Sequence, residues 1–211
     1  MELTQDFLVL NACSSFAEQR VKDSRYQNDF TFQDVYELPS IDLTPYKCMI
    51  INGLIDQEYL NKEKARIADF LAQGKVILFG GHLFRPWLPG GSSFIPKTIR
   101  SFNDYAITFA NPHPIFEGVE PDDLTYNKGV AGFFARGHHP LPPEAEVLLF
   151  LGGAEPIMYI DRLSTKGTIV VHAGSDLLSY SNHPNTAGRI TPQLIDWIRS
   201  EYKQIQERNA G

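Results

Sequence analysis

The chain has 211 residues, 43% of them hydrophobic and 21% charged, a balance that fits a folded globular protein and departs from disordered or fibrous compositions. A single domain of this length buries roughly 70% of the surface its unfolded form exposes, so a sizeable core is available. With a net charge of −6 and no cluster of lysines and arginines, the sequence offers no grip on a phosphate backbone or an anionic membrane, and nucleic acid is not an expected ligand.

The first residues, Met1 to Asp6, carry acids where a secretory leader carries bases, and Phe7 to Leu10 is too short for a leader's apolar core. The longest apolar stretch, Val147 to Leu151, stops at Gly152-Gly153, far short of the roughly 18 residues of a membrane span. Cys13 and Cys48 are the only cysteines, too few for a disulfide framework or a cysteine-rich zinc site. Together these features predict one cytoplasmic domain over residues 1–211, with reduced thiols and no membrane partner.

In chain order, residues 7–12 form a nearly continuous apolar run, the pattern of a strand buried on both faces. Residues 16–22 read as a short helix and residues 34–38 as a strand. The run Cys48 to Gly53 is a second buried strand, and Asp56 is placed to cap a helix over residues 57–73. Leu60, Ile67, Phe70 and Leu71 fall on one face of that helix, Glu58 and Lys62 are spaced as an exposed pair, and Gly74 supplies the stop. Lys75 to Phe79 follows as a third strand, so residues 48–79 spell a βαβ unit whose two strands are parallel.

From Gly80 to Pro96 the chain is rich in glycine and proline, long for a connection, and is expected to lie over the carboxyl edge of the sheet. Short strands are expected at residues 106–109, 147–151, 157–160 and 168–171, several of them pairing antiparallel. A closing helix begins with Thr191 as cap and Pro192 in its first turn, and buries Leu194, Ile195, Ile198, Tyr202 and Ile205.

Four stretches resemble the class I glutamine amidotransferase-like superfamily and, within it, the ThuA-like (trehalose-utilisation) branch. They are Met49 to Gly53, Ile67 to His82, His113 to Val119 and Lys166 to Gly174. The resemblance implies a flavodoxin-like three-layer α/β sandwich with a mainly parallel central sheet, some antiparallel strands in the C-terminal half, and a site at the carboxyl edge. It also implies a nucleophile elbow after the 75–79 strand, but the residues there are Gly80-Gly81-His82-Leu83-Phe84, with neither cysteine nor serine. Glutamine hydrolysis needs a thiolate on that turn, so the family's fold is expected without its activity. The family's C-terminal His-x-Glu is also missing, His172 with Asp176 being an approximate substitute.

The candidate catalytic residues are His82, His172 and Asp176, and the candidate ligand-binding residues are Gly80, Gly81 and Arg85. His82 and His172 each follow a strand of the parallel set, where open α/β sheets place ligand groups. Against these stand plainer roles: a loop histidine, a satisfied core histidine, a turn residue for Asp176, and a surface ion pair for Arg85. Cys13 ends the first strand on the same edge and is a weaker nucleophile candidate, while Cys48 is assigned no role. His138 and His139 are adjacent, with no further ligand at recognised spacing, so no metal is expected. Phe94, Phe102 and Tyr105 either wall a pocket or fill the core under the long loop.

No Walker loop, GxGxxG, HExxH or GxSxG is present. Three functions remain. The first is an amidotransferase-like protein that binds a small polar molecule or a protein partner without hydrolysing amides, with homo-oligomer formation left open and no cofactor expected. The second is a ThuA-like enzyme using His82 and His172 as acid and base on a carbohydrate or other polar metabolite. The third is a structural protein whose crevice is plugged by the 80–104 loop.

Overall fold

The computed structural model describes residues 6–12, 29–127, 129–174 and 176–210. Its strands are β1 (Phe7–Asn11), β2 (Phe30–Asp34), β3 (Cys48–Asn52), β4 (Val76–Gly80), β5 (Ile107–Phe109), β6 (Glu146–Leu151), β7 (Glu155–Asp161) and β8 (Thr168–His172). They form one mixed sheet in the order β2-β1-β3-β4-β8-β7-β6-β5. The first five positions in that order are parallel and the last three strands pair antiparallel.

The continuous apolar runs explain the central position of β1, β3, β4 and β8. Phe7, Val9, Cys48, Ile50, Val76, Leu78 and Val170 point to one face, here the back, and Leu8, Leu10, Met49, Ile51, Ile77, Phe79 and Val171 to the other, the front. Each apolar side chain buried this way stabilises the fold by roughly 1.5–3 kcal/mol, which makes strands of this composition costly to expose on either side. The expected βαβ unit is present, with Cys48 opposite Val76 and Ile51 opposite Phe79 in parallel register.

The helix expected over residues 57–73 is two helices, α1 (Gln57–Lys62) and α2 (Lys64–Ala72), because Glu63 serves as the C-cap of one and the N-cap of the next. Asp56 caps α1 through Tyr59 N–H at 3.0 Å. Leu60, Ile67, Phe70 and Leu71 cover the front face. Gly74 ends the pair at φ +71°, a left-handed conformation that glycine adopts without strain.

Residues 34–38 are not a strand. The strand is β2, ending at Asp34, whose carboxylate accepts from Tyr36 N–H at 2.9 Å and turns the chain into a 3₁₀ helix over Val35–Ser40. The expected helix at residues 16–22 and Cys13 lie outside the described residues. A short helix, α3 (Pro121–Thr125), lies between β5 and β6.

The closing helix, α4 (Ile190–Ala210), starts one residue before its expected cap. Thr191 does not cap it; its hydroxyl donates to Leu177 C=O at 3.0 Å, and Asn185 caps the preceding 3₁₀ turn. Leu194, Ile195, Ile198 and Ile205 bury against the back face. At the amino edge of the sheet Glu201, 2% exposed, accepts from Arg162 at 2.8 Å and from Thr168 Oγ1 at 2.7 Å. Among the described residues no helix is long and apolar enough to cross a membrane.

Candidate functional site

At the carboxyl edge the turns after β4 and β8 lie side by side. His172 is in register with Gly80, and Gly81 N–H donates to His172 C=O at 2.9 Å. The turn after β3 presses on the same place, since a Cβ on Gly81 would lie 2.2 Å from Gly53 Cα, and Gly81 holds φ at +145°. Backbone contact this close admits only glycine. Gly80 and Gly81 therefore join three strands at the rim.

No helix follows β4. An elbow is a strand-to-helix turn, and this chain instead runs in irregular structure from Gly81 to Phe94. The segment does not lie over the carboxyl edge as expected. It descends the front face, so that Leu83, Trp87 and Leu88 are buried with Phe79 and Val171, and it reaches Asp161 and Ser164 at the amino edge by Gly90. It then returns, and Phe94 N–H donates to Leu83 C=O at 2.7 Å.

The cause is an apolar face left uncovered by α1 and α2. Trp87 sets its ring edge-on to Phe79 with centroids 5.2 Å apart. Gln57, buried at the start of α1, ties the descending strand of chain down. Its Nε2 donates to His82 C=O at 2.7 Å, while its Oε1 accepts from Phe84 N–H at 3.0 Å and from Trp87 Nε1 at 3.2 Å.

His82 is exposed at the rim and stacks on Phe94, centroids 3.7 Å apart and planes inclined by 13°. Partial burial lowers its pKa below the ordinary histidine value, so the ring is neutral at pH 7. His172 is fully buried on the back face, with Phe134 at 4.6 Å between centroids. The two imidazoles thus differ in access although they share an edge. Asp176 caps the 3₁₀ turn Leu177–Tyr180 by accepting from Leu178 N–H at 3.0 Å. Arg85 pairs on the surface with Glu58, which takes Arg85 as its partner across 27 positions of sequence.

His139 is a third histidine at this edge, and its place was not anticipated. It is 1% exposed, accepts from Leu83 N–H through Nε2 at 3.0 Å, and lies 5.6 Å from Phe94 and 6.2 Å from Phe79 between centroids. Burial first, then the neighbouring His82, His172 and His138, push its pKa down to about 4. His138 is half-buried on a two-residue strand paired with Ile95. Nothing in the dipeptide itself reveals that one histidine holds a backbone 56 residues away. Gln57 and Phe94 complete the arrangement.

Of the other candidates, Tyr105 packs against Gly132, and Phe102 is exposed and does not fill the core. Cys48 lies buried at the opposite edge, with its thiol pKa driven far up by burial. Among the described residues no group of three His, Cys, Asp or Glu side chains is arranged to hold a metal. An open groove of about 650 Å³ lined by Phe109, His113 and Phe116 lies at the β5 end of the sheet, and none of the three edge histidines lines it.

No protein-family model matches this chain, and no curated protein matches it. A solved structure, the cytoplasmic protein STM3548 from Salmonella typhimurium, is similar with a TM-score of 0.59 and 11% sequence identity. The match covers 91% of this chain and 98% of that one. At this identity the likeness is one of fold: an α/β protein with a large, mainly parallel sheet and added antiparallel strands.

Proposed function

We propose that this chain is an amidotransferase-like, flavodoxin-type α/β protein that binds a small polar ligand at the carboxyl edge of its sheet and does not hydrolyse amides. The parallel strand order 2-1-3-4-8 supports the flavodoxin-type reading. The observation that carries the functional one is the path of the chain after β4. It leaves the family's elbow position without a thiol or a helix, and it leaves His82 exposed on the face of Phe94. An aromatic face beside a neutral imidazole suits a flat polar molecule of small size. Acid and base catalysis by a His82 and His172 pair is less favoured, because His172 is closed off from solvent.

A second reading, a structural protein with a filled crevice, is favoured by the burial of Leu83, Trp87 and Leu88 on Phe79. The filling covers the front face, whereas His82 remains at the rim. Thermal-shift screening of polar metabolites against the wild type, His82→Ala and Phe94→Ala separates the two. The binding reading expects a ligand whose affinity falls at least about tenfold in both variants, a loss of the size of one hydrogen bond or stacking contact. A ligand indifferent to both substitutions places the site elsewhere, and ammonia release from glutamine that vanishes in Cys13→Ala overturns the non-hydrolytic reading.

A further inference from the structure

A buried imidazole must place its proton on one nitrogen or the other, and here the backbone makes the choice. The Leu83 N–H donates to His139 Nε2 at 3.0 Å, which requires a lone pair on that nitrogen. The neutral ring therefore carries its hydrogen on Nδ1. Neutrality follows from burial and from the adjoining histidines, which hold the pKa near 4. Nδ1 is itself buried and makes no hydrogen bond to any described residue. Native interiors rarely leave a donor in that condition, so a buried N–H of this kind calls for a partner from outside the fold. The rings packed on it, Phe79 and Phe94, supply no strong acceptor, and the neighbouring imidazoles of His82, His172 and His138 make no hydrogen bond to this nitrogen. Phe94 also touches His82, the exposed group of the rim.

We propose that His139 is the recognition donor of the carboxyl-edge site, giving its Nδ1–H to an sp² oxygen of the ligand, as in a carboxylate or a carboxamide. This rests on the reading that the carboxyl edge binds a polar ligand, and it names what that ligand must present. It also excludes His139 as a metal ligand in this state, since Nε2 is occupied by Leu83 and Nδ1 is protonated. Because Nδ1 is buried, a ligand reaches it only with a movement of the side chains packed around it, Phe94 being the ring that touches both histidines.

Nitrogen NMR of the full chain labelled at histidine, at about pH 7.5, reads the tautomer directly. The expected result is a protonated Nδ1 and an unprotonated Nε2 on His139, and the reverse assignment overturns the inference. Sodium acetate and acetamide are then titrated as probes. At least one shifts the His139 Nδ1–H signal saturably, and its affinity, followed in both proteins by the ring signals of His82, is reduced about tenfold in His139→Gln, a substitution that retains an acceptor for Leu83. A response to acetate alone assigns a carboxylate, and a response to acetamide alone assigns a carboxamide. Failure of both probes overturns the inference, as does Zn²⁺ binding that His139→Gln abolishes. A screened ligand that depends on His82 and Phe94 but not on His139 overturns this inference alone and leaves the carboxyl-edge reading standing.

Discussion

Acid should loosen this fold at one identifiable bond. His139 has a folded pKa of about 4 against 6.5 for an ordinary histidine. The unfolded chain therefore binds a proton between those values that the folded chain refuses, so stability is unaffected above about pH 7 and falls as the pH drops through 6.5 toward 4. Each pH unit in that window costs about 1.4 kcal/mol, giving about 2 kcal/mol by pH 5 and about 3 kcal/mol once the pH is below 4. The proton goes to Nε2, which then loses its bond from Leu83 N–H, so the 81–94 segment is the part released. Urea denaturation of the wild type and His139→Gln at about pH 7.5 and pH 5 reads the contribution of this group as the difference between the two proteins. The wild type is expected to lose about 2 kcal/mol more than the variant on acidification. Equal losses would refute the assignment of His139 as a buried, neutral acceptor.

Two further substitutions test the packing that builds the rim. Trp87→Ala removes a ring 1% exposed and its bond to Gln57, and is expected to cost about 3–5 kcal/mol in urea denaturation; a loss below about 1 kcal/mol would mean that the segment is not part of the core. Gly81→Ala sets a methyl against Gly53 Cα and should destabilise far more than Gly153→Ala, where φ is +79° and nothing lies within 4 Å, so that only about 1–2 kcal/mol of left-handed strain is expected. Similar melting temperatures for the two variants would show that the β3 and β4 turns are not in contact.

The sequence made the βαβ unit legible because its signals are local. Two continuous apolar runs, the Asp56 cap and the Gly74 stop lie within about 30 residues, and short-range chemistry decides each of them. The strand expected at residues 34–38 failed for an equally local reason that competed with the pattern. Asp34 turns the backbone through Tyr36, and Pro39 sits inside the 3₁₀ turn that follows. Glu58 pairs with Arg85, 27 positions away and beyond any i,i+4 rule, while Lys62 still acts on its charge.

The candidate site is only partly legible, and the missing part is all long-range. The positions of His82 and His172 after strands place their turns at one edge, and the register of β4 and β8 agrees. Their chemistry depends on groups no spacing rule connects: Gln57 reaches His82, Phe84 and Trp87, and His139 reaches Leu83. Metal-ligand spacing does not detect the role of His139, because its acceptor nitrogen is used by a backbone amide.

The same contacts limit the chemistry the rim supports. His82 and His139 both have lowered pKa values, burial being the largest cause for each. At neutral pH His139 is therefore uncharged, and the shift of His82 favours its neutral form as well. A neutral imidazole still donates one hydrogen bond and accepts another, with no charge to desolvate when a ligand arrives. Such a rim fits the proposed recognition of a polar molecule, and its shape originates in the Leu83, Trp87 and Leu88 packing that draws the chain after β4 off the carboxyl edge and onto the sheet.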